Sequence, residues 1–327
     1  MEKLLEIKDL YVNYKTDEAV VHALNGFTLD VYKGETLGLV GETGAGKTTM
    51  CLSTLRLLPE DIGEVVSGSI KYNDIDIMKA SKNQMRQLRG AEISMIFQDP
   101  MTSLNPIMTV GEQIREVLDL HYPDMPPKKR DTRVDDIMKL VGIGPERKDQ
   151  YPHQFSGGMK QRIVIAMALV SEPKLLLADE PTTALDVTIQ AQILELMKAL
   201  KESFNSSMVL VTHDLGIVAE FCDNVAVVYA GSVIERGSIE QVFSRVKNHP
   251  YTDGLFNCIP DLTSEAKRLT PIPGYMADAS NLPKGCKFAD RCVRCREKCK
   301  ETEPELQEVD KGHFIKCWYA DERSGET

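Results

Sequence analysis

The stretch GETGAGKTT, residues 41–49, decides the fold of this chain. It fits the pattern Gly-x-x-x-x-Gly-Lys-Thr, follows the apolar run TLGLV at 36–40 and opens a segment that favours a helix. Closely spaced glycines let backbone N–H groups turn inward around a phosphate, and the start of a helix adds positive potential. The alternative is a Gly-rich turn that only caps a helix. That alternative is disfavoured because the preceding strand, the lysine and the threonine all occur at the positions that the phosphate-binding motif requires. The stretch therefore predicts a binding loop for a nucleoside triphosphate.

Two side chains of this loop, which we call the cradle (residues 41–49), bring specific chemistry. Lys47 is placed to reach the β- and γ-phosphates, and Thr48 offers its hydroxyl to Mg²⁺. We expect nucleotide contacts from these members of the cradle: Gly41, Thr43, Gly44, Ala45, Gly46, Lys47, Thr48 and Thr49.

A pair of carboxylates ends a second apolar run, LLLADEP at 175–181. Asp179 stands where a strand end would let it hold Mg²⁺, directly or through water. Glu180 follows it, and a carboxylate just beyond a metal ligand can orient an attacking water or accept its proton. The alternative is a solvated acidic pair at a sheet edge. Together with the cradle, the pair predicts triphosphate hydrolysis.

Composition limits the classes of partner. The 327 residues carry 39 basic and 49 acidic side chains, a net charge of −10, so we expect no nucleic-acid partner. The charged start MEKLLEIKDL does not resemble a signal peptide, and the longest uninterrupted apolar run has eight residues, 163–170. We expect a soluble chain in a reducing cytosol, where disulfides are disfavoured.

The order of patterns along the chain predicts an α/β fold. Turn-separated strand signals fill the first 75 residues, and a helical, proline-punctuated pattern runs from about 79 to 160. The apolar runs 174–180 and 207–214 flank a helix with apolar residues at helical spacing, which indicates a mostly parallel sheet. Beyond about residue 240 periodicity fades, and we expect a linker and a small extension there.

A second loop suited to anions, QFSGGMKQR at 154–162, opens the next helix. Ser156 is a good N-cap, and the two glycines after it expose backbone N–H groups. One nucleotide does not need two such helix starts from one subunit. We therefore expect Ser156, Gly157 and Gly158 to contact the γ-phosphate held by another subunit, although Ser-Gly-Gly alone would be an ordinary loop.

With these motifs in order, the chain resembles the ATP-binding subunits of ABC transporters from about residue 4 to its end. The resemblance adds a glutamine loop at Gln98 in IFQDP, a D-loop ALD at 184–186 with Asp186, and a switch histidine, His213, in VTHD. It identifies SGGMKQ, residues 156–161, as the family's signature motif, and it implies a head-to-tail dimer that holds two ATP molecules, each between the cradle of one subunit and the signature of the other. It also implies that Tyr14 stacks on adenine.

The resemblance assigns roles at the site. Glu180, His213 and Gln98 would be catalytic, and Thr48, Gln98 and Asp179 would hold Mg²⁺. The implied fold is a P-loop NTPase (RecA-like) core with an antiparallel β subdomain and an α-helical subdomain, plus a cysteine-rich extension. The implied domains are 1–240, with the helical subdomain at about 91–160, and 241–327.

Two longer stretches, at 98–114 and 180–194, resemble the oligopeptide/dipeptide importers, specifically their D-type ATPase. This implies an F-type ATPase partner in a heterodimer, two transmembrane permease subunits and an extracytoplasmic peptide-binding protein. The chain would sit peripherally on the cytoplasmic face of the cell membrane. A non-transport ABC ATPase and a redox- or iron-sensing regulator remain as alternatives. ABC ATPases of the chromosome-cohesion type carry a long coiled coil between cradle and signature, and this chain has no sustained heptad repeat there.

Five of the eight cysteines lie within residues 286–317. The tail resembles the C-terminal extension of peptide-importer ATPases, and the family pattern falls on Cys286, Cys292, Cys299 and Cys317. The resemblance implies a [4Fe–4S] cluster there. Cys295 departs from the pattern and forms a Cys-x-x-Cys pair that could serve a zinc site instead; unliganded thiols are the third possibility. We expect this extension to fold separately from the cradle.

Overall fold

The computed structural model describes residues 2–183, 185–258 and 271–320. The described strands are β1 (Lys3–Lys15), β2 (Val20–Tyr32), β3 (Thr36–Val40), β4 (Gly63–Tyr72), β5 (Ile75–Asp76), β6 (Ile93–Ile96), β7 (Leu175–Asp179), β8 (Ser207–Thr212), β9 (Asn224–Tyr229), β10 (Ser232–Ser238), β11 (Gln307–Asp310) and β12 (His313–Ile315). The described helices are α1 (Lys47–Thr54), α2 (Lys82–Leu88), α3 (Pro100–Ser103), α4 (Val110–His121), α5 (Pro127–Leu140), α6 (Gly157–Leu169), α7 (Val187–Ser203), α8 (Leu215–Phe221), α9 (Ile239–Phe243), α10 (Pro250–Asn257) and α11 (Glu297–Glu301). None of these helices, within the described ranges, is long and apolar enough to cross a membrane.

The first of two compact units contains residues 75–211, with short segments near 2–4 and 31–36. Strands β6, β7 and β8 pair in parallel, and every residue of β7 and β8 is buried. Uninterrupted apolar runs are typical of parallel strands that are covered on both faces. Helix α6 packs against α3, α4, α7 and β6. The predicted helical region between the two phosphate motifs is thus helical, and it borders a parallel sheet.

The second unit contains residues 5–30, 37–74 and 212–320. Here β1 pairs with β4 in the antiparallel sense, which confirms the antiparallel β region expected near the N-terminus. The strand that leads into the cradle, β3, pairs in parallel with β9. The order then continues through β10 and β12 to β11, all antiparallel.

The extension shares its core with the cradle strand. Val40, Tyr229, Tyr251 and Phe288 belong to one buried apolar cluster, against which Cys286 and Cys292 also pack. The expectation that the extension folds separately from the cradle is therefore wrong. Sequence patterning could not show the shared core, because the extension has few periodic apolar residues and packs against the apolar residues of the sheet. Residues on both sides of 240 lie in this unit; the predicted domain boundary itself stays a prediction.

Candidate nucleotide-binding site

The cradle has the strand–loop–helix context that its sequence predicts, between β3 and α1. Gly46 has φ +103° and caps α1, and a Cβ added there would lie 2.6 Å from the Ala23 carbonyl oxygen. A Cβ on Gly41 would lie 2.3 Å from the Val228 carbonyl oxygen. Only glycine fits such close backbone approaches. The glycines therefore shape the loop even before a ligand is considered.

The loop is closed by its own lysine. Lys47 Nζ donates hydrogen bonds to the carbonyl oxygens of Gly41 at 2.6 Å and Glu42 at 3.1 Å. Thr48, in contrast, is exposed, as are Thr43 and Gly44. The cradle thus presents an open surface of backbone and hydroxyl groups around a buried ammonium, which suits a phosphate chain.

Tyr14 lies beside the cradle. Its hydroxyl donates a hydrogen bond to Thr49 Oγ1 at 3.3 Å, and its ring is half-buried. The structure therefore brings Tyr14 to the phosphate loop, as expected for a residue near the nucleotide. Stacking on adenine stays a prediction.

In the first unit, the carboxylate pair follows β7. Asp179 is buried as the last residue of the strand, and Glu180 takes a left-handed φ of +46°. Glu180 Oε2 accepts hydrogen bonds from Gln98 Nε2 at 3.1 Å and Thr183 Oγ1 at 3.0 Å. Two of the three predicted catalytic side chains therefore meet. The third, His213, is exposed directly after β8, in the second unit.

The predicted Mg²⁺ ligands divide between the units. Thr48 belongs to the second, and Gln98 and Asp179 belong to the first. That ligand set stays a prediction.

The signature opens α6 as predicted. Ser156 is the N-cap, with its Oγ accepting from the Met159 N–H at 3.4 Å, and Gly157 and Gly158 form the first turn. A Cβ on Gly158 would lie 2.8 Å from Ile189 Cγ2, so this glycine also allows α6 and α7 to pack. Ser156 and Gly157 are both exposed, which leaves them open to a ligand on another subunit.

Asp186 has a role that the sequence did not indicate. Its carboxylate caps α7 and accepts from the Ile189 N–H at 3.0 Å. A nucleotide contact from Asp186 stays a prediction, and Ala184 of the same D-loop lies outside the described residues.

The cysteines of the extension converge. Cys286, Cys292, Cys299 and Cys317 line one mainly apolar cavity, whereas Cys295 is not among its lining residues. Burial raises the pKa of Cys286 to about 12 and that of Cys292 to about 11. None of the eight cysteines, all of which the structure describes, forms a disulfide.

A bound metal is not supported by side-chain placement. Within residues 2–183, 185–258 and 271–320, no group of three or more His, Cys, Asp or Glu side chains is arranged to hold a metal ion. The iron–sulfur site and the zinc alternative therefore stay predictions.

Comparison with known proteins agrees with this geometry. The ABC transporter family model matches residues 24–183, and the model of the oligopeptide/dipeptide transporter C-terminal region matches residues 234–299. The dipeptide transport ATP-binding protein DppD of Bacillus subtilis is 47% identical over 99% of this chain and 97% of its own. The oligopeptide transport ATP-binding protein OppD of Haemophilus influenzae is 44% identical over 99% of both chains. The chain belongs to the ATP-binding proteins of the oligopeptide/dipeptide ABC transporters.

Solved structures support the same family for this ABC ATP-binding protein. A dimeric ATP-binding cassette in a post-hydrolysis state with ADP and phosphate matches with a TM-score of 0.64 and 28% identity, over 72% of this chain and 98% of that one. The expected fold class, an ABC-type P-loop ATPase, is confirmed. The alternative of a non-transport ABC ATPase is not favoured by any of these relatives.

The sequence missed two residues beside the cradle of this ABC ATP-binding protein and their partner within it, Glu42. Arg291 forms a bidentate ion pair with Glu42, and the Tyr251 hydroxyl accepts from the Glu42 N–H. Arg291 and Glu42 are 249 positions apart, so no local pattern could have paired them.

Proposed function

We propose that this chain is the ATP-hydrolysing subunit of an importer for dipeptides or oligopeptides. The named activities of its full-length relatives support this role. Such a subunit needs permease partners and an extracytoplasmic peptide-binding protein, because the cradle and the signature account for ATP but offer no peptide site. It would associate peripherally with the cytoplasmic face of the membrane.

The observation that carries the catalytic proposal is the contact between Gln98 Nε2 and Glu180 Oε2 at 3.1 Å. Glu180 would orient the attacking water and accept its proton, and Gln98 would orient the carboxylate. His213 would hold water and γ-phosphate in line. Mg²⁺, held by Thr48, Asp179 and Gln98, would neutralise phosphate charge.

The subunit would work in a head-to-tail pair. The start of α6, where Ser156 and Gly157 are exposed and the half-buried Gly158 follows, is suited to bind the γ-phosphate carried by a partner's cradle. The D-type character of the sequence makes an F-type ATPase the partner that we propose. Residues of both subunits would then form each ATP-binding site, and Asp186 would lie near the nucleotide.

Four cysteines that line one cavity could supply the four thiolates of a [4Fe–4S] cluster, one on each iron. A zinc site would use the same type of ligand around a single ion. Cys286, Cys292, Cys299 and Cys317 would be its ligands, and zinc is the alternative.

The substitution Glu180→Gln tests the catalytic proposal. It keeps the shape and the Gln98 contact but removes the base, so MgATP should bind with unchanged affinity while steady-state hydrolysis falls at least about a hundredfold. Nucleotide titration and phosphate release in the assembled transporter measure the two effects. Glu195→Gln, on the exposed face of α7, removes an equal charge and should hydrolyse normally. Hydrolysis by Glu180→Gln near the unmodified rate would contradict the role of Glu180.

A further inference from the structure

Every polar group of Glu42, the second residue of the cradle, forms a hydrogen bond. Its carboxylate accepts two hydrogen bonds from Arg291, Nη1 to Oε2 at 2.7 Å and Nη2 to Oε1 at 3.0 Å. Its N–H donates to the Tyr251 hydroxyl at 2.9 Å. Its carbonyl oxygen accepts from Lys47 Nζ and from the Ala45 N–H, each at 3.1 Å. The loop conformation at Glu42 is therefore fixed from both sides.

Arg291 is itself anchored within the extension. Its side chain is only 5% exposed, and its Nε donates to the Pro273 carbonyl oxygen at 2.9 Å. The guanidinium lies 5.8 Å from the Tyr229 ring centre and 5.9 Å from that of Phe288. The hydrogen bonds with Glu42 hold the pKa of Arg291 above its ordinary value, so the guanidinium stays charged. A planar guanidinium in this position fits a carboxylate in a fixed direction.

A carboxylate inside a phosphate-binding loop requires compensation. An uncompensated negative charge at Glu42 would repel the triphosphate, and the repulsion is strong where the surroundings are partly buried. It could also turn toward Lys47 and compete for the ammonium. The bidentate pair removes both effects, because it cancels the charge and holds the carboxylate against a buried guanidinium.

We propose that Arg291 is a positioning residue of the nucleotide site, which cancels the charge of Glu42 and holds the cradle ready for the phosphates of ATP. The cysteine-rich extension thereby contributes directly to ATP binding, since Arg291 lies between Cys286 and Cys292. This inference rests on the proposed function, because it assumes that the cradle binds ATP.

Substitution of both partners of the pair tests the inference in the full-length chain. Arg291→Met should weaken MgATP binding about tenfold and MgADP binding less, because the repulsion grows with phosphate charge. Glu42→Gln added to Arg291→Met should restore MgATP affinity to within about threefold of the unmodified chain. A purely structural role would weaken both nucleotides equally and would not be rescued.

Three further variants separate failure of this inference from failure of the proposed function. Arg296→Met removes an arginine that stacks over Tyr319 in the same extension, and it should leave MgATP affinity unchanged. Lys47→Ala should abolish MgATP binding; if it does not, the proposed function fails and not only this inference. If Arg291→Met does not fold, Arg291→Lys replaces it; lysine keeps the charge but loses the bidentate fit to the carboxylate, so the loss of MgATP affinity should be intermediate, about threefold.

Isothermal titration with MgATP and MgADP, with thermal melting to confirm folding, gives the readout. The expected pattern is a selective loss of MgATP affinity in Arg291→Met that Glu42→Gln reverses. Unchanged MgATP affinity in Arg291→Met (or in Arg291→Lys, where the first variant does not fold), equal loss for both nucleotides, or no rescue by Glu42→Gln would each overturn the proposal.

Discussion

At the scale of single residues, the glycines of the cradle carry two constraints at once. Their sequence spacing indicates phosphate binding, and the structure adds a packing demand that holds without any ligand. Gly46 combines a left-handed φ of +103° with a carbonyl oxygen 2.6 Å from the position of an added Cβ. Phosphate binding and folding thus depend on the same atoms of the loop.

The substitution Gly46→Ala should therefore impair both stability and binding. A left-handed conformation costs a residue with a Cβ about 1–3 kcal/mol, and the clash with the Ala23 carbonyl oxygen adds to that. Chemical denaturation should show the destabilisation, and MgATP binding should be lost. Gly34→Ala is the matched control: Gly34 has φ +77° but no heavy atom within 4 Å of an added Cβ, so only the conformational penalty should appear. Equal destabilisation by both variants would contradict the close approach at Gly46.

The sequence predicted the residues of the cradle and the carboxylate pair because each motif is contiguous. It could not predict the Arg291–Glu42 pair or the Tyr251 contact, since both depend on chain segments that meet only in the folded protein. The family resemblance gives Gln98 and Glu180 catalytic roles, but their hydrogen bond joins different elements and has no local signal in the sequence.

At the scale of elements, the strands were easier to predict than the helix faces. The continuous apolar runs correctly indicated β7 and β8. For α7, the apolar residues at helical spacing predicted a face of Ile189, Ile193, Leu196 and Leu200. The structure buries two of these, Ile193 and Leu200, together with Leu194 and Met197. Ile189 and Leu196 are only half-buried, and Ile189 lies close to Gly158 at the start of α6.

A substitution at the start of α6 tests the proposed head-to-tail arrangement of the two ATPase subunits. Ser156→Arg places a long cation where we propose that a partner's γ-phosphate binds, and it removes an N-cap worth about 1 kcal/mol. Nucleotide titration of the single subunit should give unchanged MgATP affinity, because the cradle lies elsewhere in the chain. Hydrolysis by the assembled transporter should fall.

Ser156→Thr is the control for this variant, since threonine keeps both the cap and the neutral hydroxyl; it should hydrolyse ATP nearly normally. If Ser156→Arg instead removed MgATP binding by its own subunit, the signature would act in cis and the proposed dimer would be wrong.

At the scale of the whole molecule, the extension is part of the second unit rather than an appendage. Strand β12 pairs with β10, with Glu235 opposite Ile315, so extension backbone completes the sheet that carries β3. Phe288 makes ring contacts with both Tyr229 and Tyr251. The sequence indicated the extension and its cysteine pattern, but it could not place them, because the contacts join segments far apart in the chain.

This placement changes what loss of the cysteine site should do. If Cys286, Cys292, Cys299 and Cys317 hold a [4Fe–4S] cluster, the anaerobically purified protein should be brown and contain about four irons per chain. Cys299→Ser should remove the colour and the iron and lower the melting temperature. It should also weaken MgATP binding, because Arg291 lies in the segment that the cysteines hold together.

The matched control is Cys295→Ser, whose thiol is not among the residues that line the cavity. It should keep the colour, the iron and the MgATP affinity. Iron analysis, visible absorption and nucleotide titration on the same preparations check each step. A colourless protein with one tightly bound zinc would replace the cluster by the zinc alternative. Iron loss in Cys299→Ser with unchanged MgATP affinity would show that the cradle keeps its shape without the cysteine site, and that the shared core of Val40, Tyr229 and Phe288 is sufficient to hold Arg291 in place.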